Sequence, residues 1–230
     1  MRRVYKTVAV TAEPGGHQVR LDGRPVRTPA RQPLLVPTAP LAAAIAGEWD
    51  AQVEAVRPAT MPMMQMAATA IDRVAPDPAA MADAIARFAE TDLVCYRADD
   101  PPELVHRQHA VWQPLLDWAA LTHDAALHVA HGIMPVAQPA PALAALRAAV
   151  GRLDPWRLSA LSIATPASGS VVIALALACG RLDADAAWAA SQLDETFQIE
   201  RWGEDAEAAD RRRGLHADFV ATERFLRLLG

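Results

Sequence analysis

The chain contains few of the residues on which several classes of protein depend. Its 230 residues include two cysteines, Cys95 and Cys179, which lie far apart and form no CxxC pair. Small secreted disulfide scaffolds need more cysteine in a shorter chain, so we expect both thiols to be reduced and buried in the core. The cysteine usage therefore predicts a cytosolic-type compartment.

Positive charge and long apolar runs are also scarce. Twenty-two basic residues stand against twenty-seven acidic ones, which leaves a net charge of −5, and Lys6 is the only lysine. A general binder of nucleic acid or of an anionic membrane needs a basic surface, so we expect neither partner. The most apolar stretch, residues 171–179, is about half the length that spans a bilayer, and the N-terminus lacks the apolar region of a signal peptide. We therefore expect a soluble protein with no membrane insertion.

The apolar and charged fractions, 52% and 21%, are typical of a folded chain with a real core. In the first forty residues, Asp22-Gly23 between short β-prone runs predicts a hairpin. The pattern becomes helical from Thr38 onward. The sequence thus predicts an α+β protein, with a small N-terminal antiparallel β domain at residues 1–40, whose boundary lies no later than residue 60, and a larger mainly α-helical domain at residues 41–230.

Several local signals place individual helices. Thr38 is a candidate N-cap, and Leu41, Ile45 and Trp49 recur every fourth residue, so we expect Trp49 to be buried. Ser168-Gly169-Ser170 precedes an apolar run that is hydrophobic on every side, which predicts a central helix with its N-cap in this tripeptide.

Two expectations concern the helix that follows residue 100. Asp100 is the candidate N-cap, because Pro101-Pro102-Glu103 follows it in the manner of a helix start. Pro114 lacks a backbone N–H, so we expect it to kink or split this helix.

Catalytic and metal-binding patterns are weak. His106 and His109 lie three residues apart on a predicted helix, but no HExxH motif or set of tetrahedral ligands accompanies them. We therefore assign no metal ligand and no catalytic residue. A hydrolase or isomerase remains the alternative, and it would use the carboxylates and histidine Asp194, Glu195, Glu200 and His216.

Two apolar groups have an open interpretation. Residues 61–66 contain four methionines, which either fill the core or provide an adaptable binding surface that includes Met63 and Met64. Phe197, Ile199 and Trp202 are interspersed with acidic residues, and one narrow helical stripe cannot bury all three. Such a mixture near a helix end is a plausible docking patch for a protein partner, so an adaptor domain with an unrelated partner is a further alternative.

Motifs along nearly the whole chain share the order and spacing of one known family. They are residues 21–29 (LDGRPVRTP), 48–52 (EWDAQ), 60–63 (TMPM), 90–98 (ETDLVCYRA), Gln108 with 112–115 (WQPL), 169–170 (GS) and 194–204 (DETFQIERWGE). With these motifs the chain resembles the assembly chaperones of the F-type ATP synthase that hold the α subunit of its catalytic sector.

The resemblance implies a chaperone that is not an enzyme, hydrolyses no ATP and needs no cofactor. Its implied partner is the unassembled α subunit, and we expect a monomer in a bacterial cytoplasm, whereas the organelle relatives work in the mitochondrial matrix. In the family that the chain resembles, the residues most important for function are acidic residues of the C-terminal stretch. The implied partner-binding residues are Glu195, Gln198, Glu200, Trp202 and Glu204, with Met63, Met64, Phe197 and Ile199 as further candidates.

Overall fold

The computed structural model describes residues 2–132, 134 and 136–230. The chain divides into two compact units, one made of Met1–Pro78, Asp154–Ala160 and Arg224–Gly230, and the other of Ala79–Leu153 and Leu161–Glu223. The expected domain boundary near residue 40 concerns independent folding and stays a prediction. Within the described residues, no helix is both long and apolar enough to cross a membrane.

The first unit contains a small antiparallel sheet. Its strands are β1 (Val8–Glu13), β2 (Gly16–Leu21), β3 (Arg24–Pro25) and β4 (Leu35–Val36), and β2 pairs with each of the other three. Asp22 and Gly23 join β2 to β3 with φ angles of 47° and 77°. A tight hairpin needs positive φ at both central residues, which is why the Asp-Gly pair predicts it. The predicted N-terminal antiparallel β region is confirmed.

Helix α1 (Ala39–Asp50) packs against β1 and β2. The hydroxyl of Thr38 accepts a hydrogen bond from the Leu41 amide at 3.3 Å, so the predicted N-cap is confirmed. Trp49 is only 8% exposed, as the spacing of the apolar residues predicts. The Tyr5 hydroxyl donates to the Trp49 carbonyl at 2.6 Å, which ties the start of the chain to the end of α1.

Helix α2 (Pro62–Thr69) is capped by a side chain from α1. The Glu48 carboxylate accepts hydrogen bonds from the amides of Met63 and Met64 at 2.7 and 2.8 Å. These amides belong to the first turn of α2, where no backbone carbonyl of the helix can reach them. Burial raises the pKa of Glu48, and the two hydrogen bonds oppose that shift. The side chains of Met63 and Met64 are themselves buried.

The remaining helices belong wholly or mostly to the second unit. They are α3 (Pro78–Ala86), α4 (Pro102–His123), α5 (Ala140–Gly151), α6 (Pro155–Ser168), α7 (Val171–Ala178), α8 (Ala184–Ser191), α9 (Leu193–Trp202) and α10 (Ala206–Leu229). Two short strands, β5 (Tyr96–Arg97) and β6 (Ala130–His131), pair in parallel and so connect the segment before α4 with the segment after it. The first seven residues of α7 are buried, and this helix packs against α4 and α8. The predicted central helix is therefore confirmed, with Ser170 as its N-cap.

Helix α4 differs from its prediction at its first residues. Asp100 is not its N-cap, because the amides of Leu104 and Val105 both bond to the Pro101 carbonyl, which makes Pro101 the last residue before the helix. Pro114 does not split the helix, which continues to His123, and a kink at Pro114 stays a prediction. The missing N–H costs one hydrogen bond, and burial of Leu115 and Leu116 just beyond it favours continuation.

The two cysteines have different environments. Cys95 is buried as expected, and burial raises the pKa of its thiol to about 12. Cys179 is exposed, so its predicted place in the core is wrong. The buried run of α7 ends at Leu177, and Cys179 forms the C-cap before Gly180, where the chain turns toward solvent.

One buried carboxylate connects two helix ends in the second unit. Asp92 is fully buried and accepts hydrogen bonds from the amides of Val94 and Val172, both at 3.1 Å. Val94 belongs to a single helical turn (Leu93–Cys95), and Val172 to the first turn of α7. Burial raises the pKa of Asp92 to about 6, against the opposing effect of these donors.

Candidate partner-binding surface

Helix α9 has one face toward the core and one toward solvent. Leu193 and Phe197 are buried, and α9 packs against α4. Another stripe contains Glu195, Gln198, Ile199 and Trp202, whose spacing of three and four residues places them on one face of the helix. Gln198 and Trp202 are exposed, and Glu195 and Ile199 are half-buried. We call these four residues the α9 stripe.

Hydrogen bonds from α4 fix the start of α9. The Gln108 side-chain amide donates to the Asp194 carboxylate at 2.8 Å, and its carbonyl oxygen accepts from the Ala98 amide at 2.8 Å. Burial raises the pKa of Asp194, while the hydrogen bond from Gln108 lowers it. The indole N–H of Trp112 donates to the Ala190 carbonyl at 2.8 Å. Polar contacts from α4 thus hold the start of α9 and the end of α8 that precedes it.

Ion pairs border the stripe where α4 meets the end of α9. The Arg107 guanidinium contacts Glu103 and Glu200, each at 2.7 Å, and Arg201 contacts Glu103 at 3.1 Å. We call these four residues the α4–α9 ion network. The hydrogen bond from Arg107 lowers the pKa of Glu103, and the one to Glu200 raises the pKa of Arg107. Glu200 therefore retains an intramolecular partner while remaining accessible.

Phe197 lies beneath this network. Its ring centroid is 4.2 Å from the guanidinium carbon of Arg201 and 5.3 Å from that of Arg107, distances at which a cation is attracted to an aromatic face. The side chain is only 3% exposed. Phe197 thus supports the surface from below, and a direct contact with a partner stays a prediction.

Trp202 is the most prominent apolar side chain of the predicted site. It is the last residue of α9, its side chain is 77% exposed, and Gly203 follows with a φ of 83°. The positive φ turns the chain sharply away, a conformation that glycine adopts without strain. Beyond the turn, Glu204 forms an ion pair with Arg212 at 3.1 Å.

A cavity near Glu204 bears on the alternative enzymatic interpretation. It is lined by Trp188, Glu204, Ala209, Arg212, Arg213 and His216. Asp194, Glu195 and Glu200, the carboxylates of that alternative, do not line it. His216 lines the cavity, and its imidazole lies 2.7 Å from the Asp185 carboxylate. Among the described residues, no group of three or more His, Cys, Asp or Glu side chains could hold a metal ion.

Within the second compact unit, the structure brings part of the predicted set together. The α9 stripe forms one surface, Glu200 lies at its edge, and Glu204 follows it after a turn. Met63 and Met64 belong to the other compact unit, where they are buried. Sequence reasoning missed Glu103 and Arg107 in the ion network, although their spacing of four residues on a predicted helix is a recognised signal for a pair. The role of the whole set in binding stays a prediction.

Comparisons with known proteins identify the class of molecule that carries this surface. The family model described as ATP12 chaperone protein matches residues 2–120. The mitochondrial protein atp12 of Schizosaccharomyces pombe is 26% identical over 229 residues, which cover 91% of this chain and 77% of that protein. The crystal structure of Atp12 from Paracoccus denitrificans is 44% identical, with a TM-score of 0.94, over 100% of this chain and 98% of the other.

An aspartate-to-lysine variant of the P. denitrificans protein gives the same identity, coverage and TM-score. The matched family model and the fold define an assembly chaperone. The chain belongs to the ATP12 chaperone family, the ATP synthase assembly chaperones that its sequence resembles.

Proposed function

We propose that this protein binds the unassembled α subunit of the F-type ATP synthase catalytic sector and promotes its assembly without hydrolysing ATP. It acts as a monomer in a bacterial cytoplasm. The binding surface is the α9 stripe, with Glu200 and Glu204 at its margin. The observation that carries the proposal is the 77% exposure of Trp202 on a helix whose other side is held by buried contacts.

A large aromatic side chain on a rigid support is a typical binding anchor. Tryptophan is enriched among the residues that dominate binding energy, and exposed apolar surface commonly marks an interaction site. Gln198 and Ile199 extend the contact next to Trp202 along the same face. The stripe offers a small apolar centre with a polar margin, which suits a modest, reversible interface rather than an obligate one.

The acidic residues determine which partner the surface accepts. Glu195 lies on the stripe, and Glu200 and Glu204 lie beyond its apolar centre, so a partner with basic groups around an apolar patch is complementary. Such charges mainly raise the encounter rate and suppress wrong partners. An unassembled α subunit exposes the surface that its neighbouring β subunits later cover, and such surface aggregates unless it is shielded. The true neighbour then displaces the chaperone.

The proposal is tested by capture of purified α subunit from the same organism. Trp202→Ala should weaken capture by about 30-fold, the loss expected for a binding anchor worth about 2 kcal/mol. Leu121→Ala is the matched control, because Leu121 is 86% exposed on α4 and belongs to no part of the surface. Both variants should melt like the wild type. Equal capture by both variants would contradict the proposed surface, and no capture by the wild type would contradict the proposed partner.

A further inference from the structure

Among the strands of the described residues, β2 alone pairs with β1, so the other edge of β1 has no partner strand there. Thr7 and Asp22 lie opposite each other, and the Asp22 amide donates to the Thr7 carbonyl at 3.0 Å. In an antiparallel ladder, every second pair of opposed residues is hydrogen-bonded in this way. In the β1–β2 register, Ala9 and Thr11 therefore bond to β2, whereas the backbone groups of the residues between and beside them point away from it.

The groups that point away belong to Val8, Val10 and Ala12. Among the described residues, none of their three N–H and three C=O groups has a hydrogen-bond partner. The side chains of Val10 and Ala12 are exposed, Val10 by 38%. The edge thus offers a row of six free backbone groups to solvent.

The other edges of the same sheet are protected. Strand β3 consists of Arg24 and Pro25, and β4 is only two residues long between Pro33 and Pro37. Proline and short length are devices that prevent a foreign strand from pairing. Strand β1 has six residues, no proline and one charged residue at its end, Glu13, whose carboxylate bonds to Arg20 at 2.7 Å. Short strands and prolines thus protect one side of the sheet from strand addition, whereas the β1 side has no such protection.

We propose that the free edge of β1 binds an extended segment of the client polypeptide by strand addition. Backbone groups of the client would bond to Val8, Val10 and Ala12, a mode of recognition that needs little sequence identity in the added strand. This inference rests on the proposed function, because the client is the α subunit, and it adds a second contact that is separate from the α9 stripe.

Charge favours the client over a second copy of this chain. Residues 1–60 contain eight basic and five acidic residues, which gives a net charge of +3. Residues 61–230 contain fourteen basic and twenty-two acidic residues, which gives a net charge of −8. Two copies paired through β1 would bring two regions of like charge together, which is unfavourable. A client segment flanked by acidic residues is complementary, and exposed Lys6 lies just before the strand.

The test is residue-resolved amide hydrogen exchange on the full chain, alone and with purified α subunit. The amides of Val8, Val10 and Ala12 should exchange at least about 10-fold more slowly in the complex, because they gain hydrogen bonds. The amides of Ala9 and Thr11 are the internal control, since β2 already protects them. Capture of the α subunit without slower exchange at the three edge amides would overturn this inference alone, whereas failure of capture would overturn the proposed function with it.

Two further measurements complete the test. Val10→Pro removes an outward N–H at a position where an edge strand tolerates proline, so it should weaken capture by about 5-fold or more. Val10→Thr keeps the N–H and the β-branched shape, and it should capture normally. Equal capture by the two variants would overturn the inference. So would slower exchange that grows with the concentration of this chain alone, because a second copy would then occupy the edge.

Discussion

The amide of Gln108 bridges the Asp194 carboxylate and the backbone of Ala98, and each of its two hydrogen bonds is 2.8 Å long. Gln108 is buried on α4, and its two partners lie on α9 and in the connection before α4. A primary amide carries a donor and an acceptor on one planar group, so it satisfies both partners at once. This relationship positions the helix that carries the proposed binding surface.

Replacing Gln108 by leucine should lower the free energy of unfolding by about 2–3 kcal/mol. The substitution leaves the Ala98 amide and the half-buried Asp194 carboxylate without their partner, and an unsatisfied buried group costs about 1–3 kcal/mol. Urea unfolding measures the loss. Gln113→Leu is the control, because Gln113 lies on the same helix and its side chain donates to Asp117 in an exposed hydrogen bond. Equal losses in the two variants would show that the bridge has no special role.

The buried carboxyl of Asp92 should make stability depend on pH. Its pKa is about 6 in the folded protein against an ordinary value of 3.8, so the folded state binds more protons than the unfolded state between these values. Stability from this group is therefore greatest below pH 4 and declines as the pH rises to about 6. The total change is about 3 kcal/mol, since a tenfold difference in proton affinity between the two states corresponds to about 1.4 kcal/mol.

Comparison with Asp92→Asn isolates this effect from the other carboxyl groups. The difference in unfolding free energy, wild type minus variant, should fall by about 2.4 kcal/mol between pH 4 and pH 7, as urea unfolding at several pH values would measure. Asp117→Asn provides the same chemical change at an exposed position of α4. A difference that does not vary with pH would mean that the Asp92 carboxyl has no raised pKa.

Features set by neighbouring residues could be predicted from the sequence. The hairpin at Asp22-Gly23 and the caps at Thr38 and Ser170 depend on backbone angles or donors within three residues, and all three are present. The burial of Trp49 is predicted correctly because one helical repeat determines its face. Composition and local spacing carry enough information for such elements.

Features that join distant segments could not be predicted in this way. Strands β5 and β6 are two residues long and more than thirty residues apart, so no periodicity reveals them. The bond from Gln108 to Asp194 spans 86 residues and needs the three-dimensional fold. Cys179 has an apolar neighbourhood in sequence but lies just beyond the last buried turn. The mixture of apolar and acidic residues at 194–204 and the family resemblance together predict the candidate surface, whereas its division into an exposed stripe and an ion network requires the structure.

A charge exchange separates the two possible roles of Glu200. Glu200→Lys places a second positive charge beside Arg107, but the pair is exposed, so the unfolding free energy should change by no more than about 1 kcal/mol. Capture of the α subunit should fall at least about 10-fold, because the acidic margin of the surface loses a negative charge and gains a positive one. Arg107→Glu combined with Glu200→Lys restores that ion pair in reversed order, although it gives up the ion pair of Arg107 with Glu103. If the partner binds Glu200 directly, the double variant should remain defective in capture. Recovery of capture in the double variant would instead mean that Glu200 acts by holding α4 and α9 together, and it would remove Glu200 from the residues that contact the partner.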